Sequence, residues 1–393
     1  MDNFYLQELI NETITRGGGI VLNMDEKPAC VVLTIEKYNQ LVSQAIQQKS
    51  PEESSQITQS SFAKASADKS LKKLKVLVTG GAGYIGTHAV KELLNSGYEV
   101  VIIDNLSTGK RENLDERAKF YEGDLADVNF LRDIFAQEKI NAVMHFAASL
   151  EVEESVSEPL KYLKNNLENT SKLLEVMNEF GVKKIVFSST AAVYGNPKIV
   201  PVTENSETVP TNPYGLSKLL AEKCVEYYVN FLGFDAVVFR YFNACGSSPD
   251  FVVKPTHESH LLPVVLQTAF GKRPQITVYG FDYETHDGTC VRDYVHVSDI
   301  AAFHTQALEK IETGEIKGFH VYNIGTGRGV SVLEMINTAA EVLNRMIPME
   351  IGPRRPGDAS ITIADNSKLL ERFGENFKYS DLETIIKTGV SQI

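Results

Sequence analysis

From Lys75 onward, continuous apolar runs alternate with amphipathic stretches. KVLVTG, EVVIIDN, AVMHFAA, KIVFSST and AVVFRYFN are unbroken runs of the kind found in strands buried on both faces. Between them THAVKELLNSG, FLRDIFAQEK and TSKLLEVMNEFG repeat their apolar positions at helical spacing, with glycine at two of the ends. This order predicts βαβ units in a doubly wound parallel α/β sheet. Beyond about residue 245 the alternation becomes irregular, and a smaller C-terminal α/β region is expected there. We therefore divide the main unit, 75–393, into a dinucleotide-type part over about 75–245 and a ligand-binding part over about 246–393.

The first 74 residues follow a different pattern. FYLQELINETI, GGGIVLNM and PACVVLTIEKYNQLV predict a helix, two short strands and a helix in a small α+β module over 1–46. Residues 47–74, rich in Ser, Gln, Lys and Ala, predict a flexible linker, because they offer too little apolar surface to offset ordering. The N-terminal pattern resembles the Phd/YefM antitoxins, ending in IEKYNQLV. A toxin or DNA partner follows from that resemblance. Arg16, Lys27 and Lys37 are the only positive charges over 1–46, which favours an appended module without DNA binding.

Composition narrows the function classes. The net charge of −12 argues against a broad nucleic-acid or anionic-membrane surface, but leaves room for a small anionic ligand in a local cradle. Cys30, Cys224, Cys245 and Cys290 are widely spaced and form no CxxC pair, so reduced thiols and no metal site are expected. The chain opens with acidic Asp2 and Glu8, and no apolar run approaches a membrane span, so the expected location is the cytoplasm.

Two constellations carry chemistry. In TGGAGYIG, Gly80, Gly83 and Gly86 fall between a strand and a helix, where free N–H groups and close backbone approach suit a pyrophosphate. Asp104 closes the next strand at the spacing of roughly 20 residues expected of a ribose-binding acid. It repels a 2′-phosphate, so NAD is expected over NADP. The acid of EGDL, Asp124, would lie near the adenine. The second constellation is PYGLSKL, where Tyr214 and Lys218 stand at i and i+4 on a helix after a strand that presents Ser188, Ser189 and Thr190 at its carboxyl end. An ammonium beside a phenol favours phenolate and suits acid–base work.

TGGAGYIG, DNLSTG, HFAA, FSSTAAVYG, PYGLSKL, RYFNACG, DGTCVRDYVHV, YNIGTG and PRRPGDA occur in this order. With them the whole of 75–393 resembles the UDP-glucose 4-epimerases of the extended short-chain dehydrogenase/reductase group, DGTCVRDYVHV being the most specific motif. The resemblance implies a Rossmann sheet, bound NAD, and oxidation at the sugar C4 followed by hydride return to the opposite face. It assigns catalysis to Tyr214, Lys218 and Thr190. NAD contacts fall on Gly80, Gly83, Tyr84, Ile85, Gly86, Asp104, Asn105, Asp124, Leu125, Phe146, Ala147, Asn165, Lys218 and Phe242. The UDP-sugar falls to Thr190, Tyr214, Asn243, His260, Leu261, Arg292, Arg355 and Asp358, and a homodimer is implied. Leu150 stands where several members carry Lys, His260 where some carry Asn, and Thr362 where some carry a bulky Tyr. Dehydratases of the group place an Asp–Glu pair after the Thr of the Tyr-Gly strand. Here Ala191 and Ala192 occupy those positions and can move no proton. Another nucleotide-sugar or uronate epimerase, and a non-catalytic NAD- or sugar-sensing regulator, remain the alternatives.

Overall fold

The computed structural model describes residues 74–248, 250–251, 253, 260–355, 358–374 and 377–393, together with the backbone of 19–24 and 27–33. The chain divides into two units, Met1–Leu71 and Lys72–Ile393. In the first, β1 (Gly19–Met24) pairs antiparallel with β2 (Lys27–Leu33), and the register shifts at Leu22/Asn23. The expected flanking helices and most of the linker lie outside the described residues.

The second unit is built on β3 (Lys75–Thr79), β4 (Glu99–Asp104), β5 (Lys119–Glu122), β6 (Ala142–His145), β7 (Lys184–Thr190), β8 (Asp235–Tyr241) and a later strand, Phe319–Ile324. Their order is β5-β4-β3-β6-β7-β8 followed by that late strand, all parallel. Alternate residues of one strand feed opposite faces, as the period of two requires. Val76 and Val78 pack with helix α1 (Tyr84–Asn95), while Leu77 packs toward α2 (Val128–Glu138), α3 (Asn169–Glu179) and α4 (Pro213–Leu232). With both faces covered, the near-continuous apolar runs are accounted for.

Local chemistry sets the helix ends. Asp127 caps α2 by accepting from the amides of Asn129 and Phe130, and Lys139 ends it in the left-handed region. Asn212 caps α4 through the Gly215 amide at 2.8 Å, Pro213 starts it, and Gly233 (φ 70°) stops it.

Beyond β8 follow β9 (Asn243–Cys245), helix α5 (Leu261–Ala269), β10 (Ile276–Tyr279), β11 (Val291–His296), α6 (Val297–Glu312), β12 (Phe319–Ile324), β13 (Gly329–Ser331), α7 (Val332–Leu343), β14 (Met349–Gly352) and β15 (Ile361–Thr362). β13, β11 and β15 form a small sheet, β9 also pairs with β11, and β10 pairs with β14. A division at residue 245 does not follow this topology. β12 adds to β8 as the last strand of the main sheet, and Ile300, Phe303 and Ala307 of α6 join the core around Val76. The chain leaves the main sheet, contributes β9–β11, and returns.

Candidate active site

The strand order reverses between β3 and β6, and the crevice outside their carboxyl ends is where ligands bind in such sheets. Gly80 (φ 73°) turns the chain there, and a Cβ on it would lie 2.6 Å from the Ala147 nitrogen. On Gly86, a Cβ would lie 2.0 Å from the Gly80 carbonyl oxygen. Gly83 is the N-cap of α1, and the first-turn amides of Tyr84, Ile85 and Gly86 lie at the helix's positive end. A Cβ on Gly83 would meet only the Gly80 oxygen, at 3.3 Å, so the outer side of this turn is open. A cradle of this shape and polarity fits a pyrophosphate.

Asp104, buried at the end of β4, accepts from the amides of Ala82 (3.0 Å) and Leu106 (2.8 Å). Burial raises its pKa and these two amides oppose the rise. The carboxylate thus braces the glycine turn as well as closing the strand. Asn105 donates to Asp124 at 2.7 Å, bringing these two predicted residues together, and Leu125 is buried beside them. Phe146 and Ala147 follow β6 directly, with the Phe146 amide donating to the Thr79 carbonyl. Asn165 donates to the Ser149 hydroxyl at 3.0 Å from a π-helical turn, Leu163–Glu168. Phe242 is buried next to β8. Tyr84 departs from a purely ligand-facing role: its hydroxyl donates to the Gly246 carbonyl, tying α1 to the segment after β9.

The catalytic candidates converge. Thr190 ends β7, Tyr214 lies in the first turn of α4, and the next residue, Gly215, approaches the turn after Thr190 so closely that a Cβ on it would lie 2.6 Å from the Ala192 carbonyl oxygen. Lys218, one turn further and 3% exposed, holds its Nζ 4.5 Å from the centre of the Phe187 ring. Among the protein's own groups burial dominates. It raises the Tyr214 pKa, with Thr190 opposing, and pushes Lys218 down to about 7, with Glu222 opposing. The expected lowering of the phenol by Lys218 is therefore not a property of these side chains alone.

On the substrate side, Asn243 opens β9, and His260 and Leu261 form the N-cap and first residue of α5. Arg292 sits on β11 in register with Thr362 on β15, and its guanidinium lies 3.6 Å from the Asp358 carboxylate. Arg355 lies over the Tyr279 ring at 3.9 Å, at the end of the β10–β14 pair. Arg292 and Asp358 are thus brought together, while Arg355 rests on an aromatic that the motifs do not mark.

Sequence reading also missed Asp293. It is fully buried and accepts from the Thr326 amide and hydroxyl (both 2.7 Å) and the amides of Gly327 (2.9 Å) and Ala364 (3.1 Å). It clamps the loop after β12 and the strand end after Thr362 onto β11, next to Arg292. An acid inside the apolar run VRDYVHV was the available signal, because a buried carboxylate needs partners.

A glycine turn at the switch crevice of a doubly wound sheet, with Tyr214 and Lys218 one helical turn apart on the helix packed against the end of β7, defines the class: an NAD-binding protein of the short-chain dehydrogenase/reductase kind. Comparison with known proteins narrows it. Residues 76–325 match the NAD dependent epimerase/dehydratase family. The chain is 48% identical over 318 residues to a UDP-glucose 4-epimerase of Lacticaseibacillus casei, covering 80% of this chain and 96% of that one. It superposes with a TM-score of 0.78 on UDP-glucose 4-epimerase of Brucella ovis in complex with NAD, at 40% identity, covering 81% of this chain and 97% of the other. With the UDP-Glc/GlcNAc 4-epimerase of Campylobacter jejuni the TM-score is 0.71 at 39% identity, over 81% and 98% of the two chains. The chain belongs to the NAD dependent epimerase/dehydratase family, among its UDP-glucose 4-epimerases.

Proposed function

We propose that the protein interconverts UDP-galactose and UDP-glucose through a 4-keto sugar held at the carboxyl edge of the sheet. The observation that carries this reading is the start of α4, with Tyr214 in its first turn and Lys218 one turn below, packed against the turn that follows Thr190 and holds Ala191 and Ala192. Gly80, Gly83, Gly86 and Asp104 would hold NAD, which would supply the acceptor and later the donor of the C4 hydride. Tyr214 takes the C4 hydroxyl proton and gives it back, Thr190 orients the reacting oxygen, and Lys218 supplies positive charge and a grip on the nicotinamide ribose. Arg292 and Arg355 offer planar forks for the two phosphates, with Asn243, His260, Leu261 and Asp358 around the rest of the UDP. Release of Arg292 from Asp358 and of Arg355 from Tyr279 would free both forks. Without an acid at 191 or 192, elimination toward a 4,6-dehydratase product has no proton donor. Incubating purified full-length protein and NAD with UDP-galactose, and assaying UDP-glucose, tests the reading; folded, NAD-loaded protein that forms none would end it.

The same reading makes the protein a cytoplasmic homodimer. Val156, Leu160, Leu216, Leu220, Tyr227 and Phe231 are exposed apolar side chains on α4 and the helical segments before it, an area suited to helix-on-helix packing between two copies. Among the described residues Cys224, Cys245 and Cys290 are free thiols.

A further inference from the structure

Tyr214, Lys218 and Glu222 follow one another at i, i+4 and i+8 on α4, so all three share the face turned to the sheet. Glu222 is 1% exposed, and Arg240 on β8 is 6% exposed. Oε1 of Glu222 accepts from the Ser189 hydroxyl and from Arg240 Nε at 3.0 Å, and Oε2 accepts from Arg240 Nη2 at 2.6 Å. Arg240 stands in register with Ser189 across β7 and β8. Its Nη1 donates to the Tyr194 hydroxyl at 2.9 Å, in the short turn after Thr190, and that hydroxyl donates to Asn323 Oδ1 at 2.7 Å on β12. One buried network therefore joins the catalytic helix to three strands and to the turn beside the catalytic threonine.

Stability alone does not account for it. Desolvating two charges costs several kcal/mol, and an apolar pair of similar volume is often as stable or more so. Placement does. The tether on Ser189 adjoins Thr190, and the tethered carboxylate lies one turn from Lys218. We infer that Glu222, locked by Arg240 and Ser189, is a positioning residue for the epimerisation site, fixing the height of α4 on β7 so that the Tyr214 phenol meets the Thr190 hydroxyl. This rests on the C4-oxidation reading above. Its charge also acts on Lys218. The titratable or charged groups facing that ammonium are Tyr214 and Glu222 on its own helix, His145 on β6, kept neutral by burial, and Arg240 on β8 behind Glu222; β7 presents the Phe187 ring. Glu222 is the one nearby carboxylate among the described residues favouring the ammonium.

The test compares wild type, Ser189→Ala, Glu222→Asp and the pair Glu222→Gln/Arg240→Met, which removes both buried charges together. For each, melting temperature, bound NAD, and kcat and KM for UDP-galactose across pH are measured. The double variant is expected to fold, keep NAD and its KM, and lose at least about 10-fold in kcat, since small misplacements of reacting groups cost that much or more. Its alkaline limb should move to lower pH, because Lys218 loses the carboxylate nearest to it. Glu222→Asp should recover part of kcat. Ser189→Ala, which strands no charge, should fold and lose a few-fold in kcat alone; it decides the matter if the double variant does not fold. Wild-type kcat and an unmoved alkaline limb in the double variant, or wild-type kcat in Ser189→Ala, would overturn the inference. A kcat loss that only tracks melting temperature would do the same. A wild-type protein that leaves UDP-galactose unchanged would strike the functional reading instead.

Discussion

At the scale of single residues, Tyr214 has two separable roles. Its ring packs edge-on to Tyr162, with centroids 6.4 Å apart, while its hydroxyl alone would move protons. Tyr214→Phe should keep the fold and the bound NAD yet lose about 10²–10⁴ in turnover, the usual worth of a positioned acid–base group. Turnover near wild type would remove the phenol from the mechanism. Thr362 makes a second case. It sits in register with Arg292, and its side chain is far smaller than the Tyr that the resemblance allows at this position. UDP-N-acetylglucosamine and UDP-N-acetylgalactosamine should therefore also be interconverted. Absence of turnover on that pair, beside good rates on UDP-glucose, would mean a β-branched residue already crowds the pocket. Glycine and tyrosine motifs were legible because their chemistry depends on local spacing. Glu222 was not: AEK on a helix reads as a solvated charge until the partner strand is known. Arg240 was the overlooked hint, an arginine inside the apolar run AVVFRYFN with no water to reach.

At the scale of elements, most strands and the long helices of the main sheet could be read from periodicity, because burial on both faces leaves no polar positions to blur the pattern. The π-helical turn Leu163–Glu168 could not, since one extra residue per turn leaves no compositional trace. It aims Asn165 at Ser149 and lets Asn166 donate to the Ser217 hydroxyl of α4 at 2.9 Å, so it couples the loop after β6 to α4. The glycine turn is equally geometric. Gly86→Ala should push the Gly80 carbonyl out of the turn, because the new methyl would lie 2.0 Å from that oxygen. We expect the isolated variant to lack NAD and to lose about 1–3 kcal/mol of stability, the cost of overpacking. Full NAD occupancy in this variant would show that the turn is not the pyrophosphate cradle.

At the scale of the whole molecule, four buried histidines set the response to acid. Burial lowers His88 and His296 to about 4, and His145 and His304 to about 3. The unfolded chain takes up these protons near pH 6.5 while the folded chain refuses them, so stability is lost as pH falls from there toward the folded values. Each such histidine contributes about 1.4 kcal/mol per pH unit within that window. Buried Asp293 and Asp299, raised by desolvation, act in the opposite direction nearer their own titration. Melting temperature should begin to drop below about pH 6.5, ahead of the carboxylate range; a flat profile from pH 7.5 to 5 would contradict this. The N-terminal unit makes a separate test, since none of the site residues lies in it. Deleting residues 1–70 should leave NAD content, turnover and melting temperature nearly unchanged, within about 1 kcal/mol in stability. Loss of NAD, aggregation or a several-fold change in the UDP-galactose KM would show that this unit contributes to the enzyme.

The late return of β12 to the main sheet has a consequence during synthesis. Until Phe319–Ile324 leaves the ribosome, β8 has no neighbour on its outer side, and its row of N–H and C=O groups is open to any passing strand. At translation speeds of roughly 5–20 residues per second, the stretch from Tyr241 to Phe319 keeps that edge bare for several seconds. The nascent chain thus carries a sticky, nearly finished sheet through the crowded exit vestibule. A chain released before Phe319 should therefore aggregate through the bare edge of β8, where the full-length chain does not.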